Sequence, residues 1–226
     1  MGTLYIVATP IGNLGDITLR ALETLKEVDF VLAEDTRVTK KLLSHYTIQT
    51  PLMSYHQHSK ESVTEKVFQL LLEGKNLALV TDAGTPGISD PGNELVSFLV
   101  KKNPEISVVP IPGPSALTTL ASIAGIPMDK FLFLGYPPHK KGRKKFFQEV
   151  VSSKHPVLFY ESPQRIIKSL QELETLDSNL SLVVGRELTK KFETIYRGAL
   201  DEVLKMLEKG NTKGEFVVLV NPSKVP

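Results

Sequence analysis

The stretch that decides the fold runs from Thr81 to Gly92 and reads TDAGTPGISDPG. An apolar run, Leu77–Val80, precedes it, and a helix-like segment begins near Asn93. Its three glycines and two prolines restrict the backbone to a particular path. A loop of this composition between a strand and a helix is typical of the ligand-binding rim of an α/β sheet. The alternative is a rigid turn whose aspartates only cap the backbone.

Strands and helices alternate on both sides of this loop. In the first half, apolar runs predict strands over 3–9, 29–33, 52–55, 76–80 and 105–110, with helical patterns between them. Such alternation predicts a largely parallel sheet that is covered on both faces. In the second half, the strands predicted over 192–197 and 215–220 are separated only by a short helix, which favours a mixed sheet with some antiparallel pairing.

The best domain boundary is the proline-rich stretch Pro110–Pro114. Three prolines in five residues are expected to end any regular element there. We therefore predict an α/β protein of two α/β domains, residues 1–111 and 115–226. The sheet of the N-terminal domain is expected to be mainly parallel and that of the C-terminal domain mixed.

Composition excludes several kinds of protein. The chain has 226 residues and a net charge of +2, so any surface for nucleic acid must be a local patch. The absence of cysteine excludes disulfides, cysteine-ligated zinc and a cysteine nucleophile, and it agrees with a cytoplasmic location. The N-terminus lacks the basic region of a signal peptide, and no apolar run has membrane-spanning length. We expect no contact with a membrane.

Two acids and an arginine follow the second predicted strand. Glu34, Asp35 and Arg37 lie at its carboxyl end, where side chains are well placed to transfer a proton or to bind a phosphate. The alternative is helix capping, because acids favour the first turn of a helix. We predict that these three residues are catalytic: Asp35 or Glu34 accepts a proton, and Arg37 grips a phosphate.

Several other loops follow predicted strands or precede helices. Pro10, Gly12 and Asn13 lie after the first strand, where glycines permit close approach of an anion or a sugar edge. This loop is neither a Walker loop nor a Gly-x-Gly-x-x-Gly motif, and a plain turn capped by Asp16 is the alternative. The loops at 112–116, 161–165, 185–190 and 213–216 also have turn explanations. Together, such loops are expected to form a crevice between two α/β halves.

The one dense basic run lies at a loop and a helix start. Five of the six positions from 140 are basic, namely Lys140, Lys141, Arg143, Lys144 and Lys145. Positive charge at a helix N-terminus opposes the helix dipole, so a compensating polyanion is plausible. We predict contacts with RNA phosphates there, and a solvated charged face is the alternative.

The sequence predicts no metal site. His56 and His58 are spaced as a metal-binding pair could be, but no third ligand follows at a recognisable spacing. An exposed turn before a helix that opens at Ser59 is the preferred interpretation.

Taken in order, six motifs resemble those of the bacterial 16S rRNA 2′-O-ribose cytidine methyltransferases, which belong to the tetrapyrrole methylase (class III) superfamily. The motifs are Thr9–Asp16, Ala33–Arg37, Thr81–Gly92, Pro112–Ala116, Glu161–Arg165 and Gly185–Lys190. The resemblance covers essentially the whole chain. It implies a homodimer of two-domain α/β subunits that binds S-adenosylmethionine in the cleft between the domains. It also implies that the partner is the 16S rRNA of the small ribosomal subunit.

The resemblance also implies site residues. Those that would meet the cofactor are Ala83, Gly84, Thr85, Ile88, Asp90, Ser115, Ala116, Tyr160, Glu161, Arg186, Gly214, Glu215 and Phe216. The first-strand loop and Glu34–Arg37 would face the nucleotide. The sequence departs from the pattern at Gln164, where the family leads us to expect histidine. A further C-terminal helical segment of some relatives is absent from this sequence, so we expect RNA binding either to be weaker or to rest on the 139–145 run.

Three other functions remain open at this point. The same fold and cofactor could methylate a tetrapyrrole or another small molecule, although the basic run argues against it. A non-catalytic protein for RNA binding or ribosome assembly would have no need of the 81–92 loop. A metal-dependent phosphoryl enzyme could use Asp82 and Asp90, and it would lose activity on chelation.

Overall fold

The computed structural model describes residues 1–56, 61–90 and 92–222. The chain divides into two compact units, Met1–Ser115 and Ala116–Pro226. None of the helices in the described ranges combines the length and apolar character needed to span a bilayer.

In its described residues, the first unit is a parallel five-stranded sheet with four α-helices. Its strands stand in the order β3-β2-β4-β1-β5, and every neighbouring pair is parallel, as the alternation predicted. The strands are β1 (Thr3–Val7), β2 (Phe30–Ala33), β3 (Leu52–Ser54), β4 (Leu77–Val80) and β5 (Ser107–Ile111). The helices are α1 (Leu19–Glu27), α2 (Thr36–His45), α3 (Glu61–Leu72) and α4 (Asn93–Lys102).

The central strand β4 explains why its sequence is an unbroken apolar run. Successive side chains of a strand point to opposite faces. Leu77 and Leu79 therefore pack in one core with α3 and α4, whereas Ala78 and Val80 pack in a second core with α1 and α2. All four side chains are buried, so both faces of the sheet are covered, as predicted.

The limits of the helices follow from local capping. The Thr18 hydroxyl accepts a hydrogen bond of 3.1 Å from the Ala21 backbone N–H at the start of α1, which satisfies an otherwise unpaired donor. The expectation that Asp16 shares this role is wrong, because Asp16 lies in a separate 3-10 turn, Leu14–Asp16, capped by Asn13. The predicted helix start at Ser59 lies outside the described residues.

The proline-rich stretch does not end the strand where the sequence predicted. Pro110 and Ile111 belong to β5, although the prolines were expected to stop any regular element. Strand β5 is at the edge of the sheet and pairs only with β1. Proline is tolerated at an edge because its missing N–H is not needed by a second neighbour.

The second unit has a mixed sheet, as the sequence predicted. Its strands stand in the order β6-β7-β10-β8-β9, and only β6 and β7 run parallel. The strands are β6 (Leu132–Phe133), β7 (Val157–Glu161), β8 (Ser181–Arg186), β9 (Thr194–Ala199) and β10 (Phe216–Asn221). The helices are α5 (Ala116–Ser122), α6 (Arg143–Ser152), α7 (Ile166–Leu176) and α8 (Leu200–Lys209).

The main core of the second unit lies between one face of this sheet and helices α6, α7 and α8. Helix α5 packs against β8 and β10. Its close approach depends on Gly185, since a Cβ there would lie 3.0 Å from a methyl group of Leu120. A larger residue at this position would push α5 away from the sheet.

Candidate active site

In the first unit, the loop after β4 is fastened to the loop after β1. The Thr9 N–H donates to the Gly84 carbonyl at 2.9 Å, and the Gly84 N–H donates back at 3.1 Å. The Thr9 hydroxyl donates to the Thr81 carbonyl at 3.0 Å. Gly84 has a φ of 85°, in the left-handed region that favours glycine. Because β1 and β4 are adjacent, these bonds hold the 81–90 loop firmly at the carboxyl end of the sheet.

Three carboxylates gather beside this loop, and we call Glu34, Asp82 and Asp90 the carboxylate cluster. The Thr81 hydroxyl donates to Glu34 Oε2 at 2.7 Å, and Asp90 lies beside Thr81. Asp82 Oδ1 accepts a hydrogen bond of 3.0 Å from the Asp35 backbone N–H. Sequence spacing does not bring these acids together; they meet because β2 and β4 are neighbours in the parallel sheet.

The carboxylate cluster alters its own acidity. Partial burial, with repulsion from Glu34 and Asp82, raises the pKa of Asp90 to about 6. Burial and the neighbouring acids also raise the pKa of Asp82, although hydrogen bonding from the Asp35 N–H opposes the shift. A carboxylate that titrates near neutral pH is a much better proton acceptor than an ordinary one.

Asp35 is in a different state from the cluster. Its carboxylate caps α2 by accepting from the Arg37 N–H at 2.8 Å, and it pairs with the Arg37 guanidinium at 2.6 and 3.0 Å. These bonds lower its pKa to about 2. Paired in this way, the Asp35 carboxylate is a weak base and is already occupied, which favours another acceptor; the role predicted for Asp35 stays a prediction. The Arg37 side chain is 87% exposed, so it remains accessible to a phosphate.

The first-strand loop is only partly available to a substrate. Pro10 is buried, whereas Gly12 and Asn13 are exposed. The Asn13 side chain accepts from the Gly15 N–H at 3.0 Å and so stabilises the turn. Of the three predicted substrate contacts here, the structure exposes two.

The residues of the 81–90 loop that were predicted to meet the cofactor lie at the surface or near it. Ala83 and Ile88 are exposed, and the Thr85 hydroxyl bonds the Pro114 carbonyl at 3.4 Å. Ser89 has a φ of 63°, which is uncommon for a residue with a side chain. Strain of this kind persists where the surrounding structure enforces it, and it is concentrated at functional loops. Ser115 closes the first unit and Ala116 begins α5; both are half-buried.

In the second unit, a buried ion network follows β7. Glu161 is 1% exposed; its carboxylate lies 2.8 Å from Arg165 Nη2 and 4.0 Å from Arg143 Nη1. The Ser169 hydroxyl and the Ser162 N–H also donate to it. Glu172 supplies a second carboxylate, 2.9 Å from Arg143 Nε. We call Glu161, Arg143, Arg165, Ser169 and Glu172 the Glu161 network.

This network corrects two predictions. Arg143 is 7% exposed and its guanidinium is bound inside the unit, so it is not a contact for RNA phosphates. The Glu161 carboxylate is fully occupied, so its side chain is not available to a cofactor. The other four basic residues of the run, Lys140, Lys141, Lys144 and Lys145, are exposed and keep a basic surface at this position.

The loops around β8 and β10 are held by residues that the sequence did not fully reveal. The buried Arg186 side chain donates to the carbonyls of Lys213 at 2.7 Å and Phe192 at 3.2 Å. The side chain therefore supports the loop, and its predicted contact with a cofactor stays a prediction. Phe216 is buried in the core, so only its backbone could reach a ligand.

Glu187 and Lys190 tie the two loops together. Glu187 Oε1 accepts from the Glu215 N–H at 3.0 Å and from Lys190 Nζ at 2.9 Å, while Lys190 also reaches the exposed Glu215 carboxylate at 2.8 Å. Gly214 is required here because a Cβ would lie 2.5 Å from Glu187 Cγ. The 185–190 motif pointed to this loop, but the pairing with residue 215 depends on the register of β8 and β10.

One polar atom in this loop lacks a partner. Thr189 Oγ1 is buried and makes no hydrogen bond within the described part of the chain. Both Glu187 and Thr189 have left-handed backbones, with φ of 52° and 64°. A buried hydroxyl without a partner is costly, and together with the strained backbone it suits a loop that is completed by a polar ligand.

Tyr160 and Gln164 frame the end of β7. Tyr160 is half-buried, with its ring centroid 5.0 Å from that of Phe133 and 5.4 Å from that of Tyr136. Gln164 is exposed. Of the histidine pair, His58 lies outside the described residues, and no group of three or more His, Cys, Asp or Glu side chains in the described ranges, the carboxylate cluster included, is arranged so that it could hold a metal ion.

Comparison with known protein families gives a match over most of the chain. Residues 3–204 match the family described as tetrapyrrole (corrin/porphyrin) methylases. Among curated proteins, ribosomal RNA small subunit methyltransferase I of Halalkalibacterium halodurans is 46% identical over 97% of this chain and 75% of its own length. The protein of the same name from Thermotoga maritima is 41% identical over 98% of this chain and 99% of its own length.

Solved structures show the same fold at low identity. A cobalt precorrin-4 methyltransferase superposes with a TM-score of 0.72 and 18% identity, covering 99% of this chain and 96% of that one. A diphthine synthase gives a TM-score of 0.75 at 13% identity, with 99% and 92% coverage. Likeness at this level of identity speaks for the fold alone.

Proposed function

The chain belongs to the tetrapyrrole methylase family and, within it, to the ribosomal RNA small subunit methyltransferase I proteins, and from this premise we propose its reaction. The protein transfers a methyl group from S-adenosylmethionine to the ribose 2′-hydroxyl of a decoding-centre cytidine in 16S rRNA. The observation that carries the choice of substrate is the 46% identity over 97% of the chain, because the shared fold alone does not select a substrate.

The residues of these loops fit S-adenosylmethionine, which supplies a methyl group on a positively charged sulfonium. In the first unit, the backbone of Ala83, Gly84, Thr85 and Ile88 and the side chain of Ser115 are the proposed contacts. In the second unit, they are Ala116, Tyr160 and the backbone of Gly214–Phe216. The unpartnered Thr189 hydroxyl supports this assignment, because a polar ligand would satisfy it.

The chain's own contribution to the chemistry is positioning and proton transfer. Rigid loops that hold reacting groups in line can supply about 7–11 kcal/mol of the acceleration. The fastened 81–90 loop suits this role. In methyl transfer the new bond forms to the ribose O2′, and the proton of that hydroxyl must leave.

We assign the acceptance of this proton to a carboxylate oxygen of Asp90. Its pKa of about 6 leaves it ionised at neutral pH and yet basic. Burial, followed by repulsion from Glu34 and Asp82, raises that pKa, and Glu34 itself accepts a hydrogen bond from the Thr81 hydroxyl. The resemblance to the family implied a cofactor contact for Asp90 instead, and cofactor affinity distinguishes the two roles.

The proposal extends to partners and location. A ribosomal substrate implies that the protein acts in the cytoplasm on 16S rRNA or the assembled small subunit. Lys140, Lys141, Lys144 and Lys145 are proposed to contact RNA phosphates, and Gly12, Asn13 and Arg37 the nucleotide. We also propose that the functional form is a homodimer, with no contact to a membrane.

The test is methyl transfer to small ribosomal subunits from cells that lack this enzyme. Labelled S-adenosylmethionine is incubated with these subunits, and the label is mapped on the rRNA. We expect one labelled 2′-O-methylcytidine in the decoding centre. Label on a base, on another RNA or on an added tetrapyrrole acceptor would contradict the proposal, and so would RNA binding without transfer.

A further inference from the structure

A basic cavity opens between α2 and β3 in the first unit. It has a volume of about 600 Å³, and Arg37, Lys40 and Ser44 of α2 line one side. This size is within the range of small-ligand sites. None of the motifs in the sequence pointed to Lys40 or Ser44, because the cavity depends on how α2 packs beside the edge strand β3.

The lining suits a nucleotide better than a free anion. Leu43, Ile48 and Leu52 supply apolar surface, and Leu43 and Ile48 are largely buried in the core beneath. Apolar surface can contact the face of a base or ribose, while the cationic side chains can bind a phosphate. A site for inorganic phosphate alone would not need the apolar side chains.

The charge of the surface differs between the cavity and the carboxylate cluster. Lys40 is exposed, and no carboxylate of the described residues lies within ion-pair distance of it. Arg37 is shared with Asp35, whose own N–H donates to Asp82 of the carboxylate cluster. The charge therefore changes from negative at the cluster to positive at Lys40. An RNA phosphate is repelled by the carboxylate cluster and attracted by Lys40.

We propose that this cavity binds the phosphate and ribose of a single-stranded RNA nucleotide adjacent to the one that is methylated. Lys40 neutralises the phosphate, Arg37 supports it, and Leu43, Ile48 and Leu52 contact the sugar or base. This inference rests on the proposed function and specifies how its RNA is held. With the adjacent nucleotide in the cavity, the target 2′-hydroxyl would face the carboxylate cluster. The phosphate that flanks the target nucleotide would lie away from the cluster.

The experiment compares Lys40→Ala with Lys41→Ala. Lys41 is the next residue of α2, is exposed and has the same charge, but it does not line the cavity. With small subunits that lack the modification, Lys40→Ala is expected to raise KM about tenfold and to leave kcat within about twofold. It should also reduce the slope of log affinity against log salt by about one, as the loss of one phosphate contact does. Lys41→Ala should change neither quantity.

Rescue separates a charge contact from a structural effect. Lys40→Arg is expected to restore KM to within about threefold of the wild type, whereas Lys40→Gln should behave like the alanine variant. An unchanged salt slope in Lys40→Ala, or equal losses in the Lys40 and Lys41 variants, would overturn the cavity assignment. A wild type that binds this rRNA without methylating it would instead overturn the proposed function, and the salt slopes of binding would still decide the cavity.

Discussion

Acidic groups lie at the carboxyl ends of strands in both units, but the charges that surround them differ. In the second unit, Glu161 ends β7 and is surrounded by Arg143, Arg165 and two serine donors. In the first unit, the carboxylate cluster follows β2 and β4, and its nearest guanidinium, that of Arg37, already pairs with Asp35. One group of acids is compensated within the protein, and the other is not.

This difference distinguishes carboxylates that stabilise the fold from carboxylates that are available for a reaction. A buried charge with opposite charges and donors around it is satisfied, so its removal leaves those partners unpaired. Acids that no cation compensates can have raised pKa values, as Asp82 and Asp90 do, and they are available to a cation or a proton. Position at the end of a strand is therefore insufficient to assign a role, and the compensation around the acid decides it.

The largest expected effect is the loss of stability in Glu161→Gln. The substitution keeps the shape of the side chain but leaves the buried Arg143 and the partly buried Arg165 without their shared carboxylate. We expect the free energy of unfolding to fall by about 3–5 kcal/mol, as when one partner of a buried pair is removed. Urea unfolding followed by circular dichroism measures it. The matched control is Glu149→Gln on the exposed side of α6, which should change stability by less than about 0.5 kcal/mol.

A Glu161→Gln variant as stable as the control would break the comparison, because the second unit would then hold no essential compensated charge. A second variant, Arg165→Lys, tests the same comparison in a finer way. The lysine keeps the charge but loses the fork that reaches both Glu161 and the Pro137 carbonyl. Its stability should lie between those of the wild type and Glu161→Gln.

The next effect is catalytic and concerns Asp90→Asn. We expect kcat to fall about 100-fold, at the lower end of general-base effects, because the Glu34 carboxylate remains beside the Thr81 hydroxyl. The affinity for S-adenosylmethionine, measured by calorimetry, should stay within about threefold of the wild type. A large loss of cofactor affinity with little change in kcat would instead support the cofactor contact that the family resemblance implied.

A smaller effect appears in the pH dependence of stability. Because the pKa of Asp90 is about 6 in the folded protein and near 4 in an unfolded chain, the folded state binds more protons between these values. The contribution of Asp90 to stability therefore increases as the pH falls from about 6 to about 4. The difference in urea midpoint between the wild type and Asp90→Asn should shift in favour of the wild type from pH 7.5 to pH 5. A shift of the opposite sign would place Asp90 in a compensated environment.

The sequence predicted the architecture well because periodicity and turn composition act locally. The apolar run Leu77–Val80 and the glycine-rich loop after it specify a central strand and its rim, and both were found. Pro110 was misjudged because its tolerance depends on which strand lies at the edge. That order is a property of the whole sheet.

The site was less predictable, since it depends on which charges meet. Arg143 stands within a basic run, and only the packing of α6 against α7 shows that its guanidinium is buried while the neighbouring lysines are exposed. Asp35 and Asp90 are both acids in strand-end loops. Hydrogen bonds from Arg37 lower the pKa of Asp35, whereas burial and then repulsion from Glu34 and Asp82 raise the pKa of Asp90. These surroundings depend on side-chain rotamers and on residues distant in the sequence.

The smallest expected effect is that of Asp35→Asn, which tests the comparison inside the first unit. Asp35 is an acid at the carboxyl end of β2, but it is compensated by Arg37. Asparagine can still cap α2, so the helix should be kept. We expect kcat to fall by no more than about threefold, because the exposed ion pair contributes little and Arg37 stays accessible. Single-turnover methylation of small subunits, beside Asp90→Asn, gives the ratio of the two effects.

That ratio is the sharpest measure of the argument. If compensation decides the role of an acid, the loss in Asp90→Asn must exceed that in Asp35→Asn by more than tenfold, although the two acids belong to neighbouring loops and both substitutions remove one negative charge. If Asp35→Asn were the more damaging change, a carboxylate with a pKa of about 2 would be the proton acceptor. The Arg37 guanidinium would then have to leave Asp35 when RNA binds, which a phosphate in the cavity between α2 and β3 could bring about.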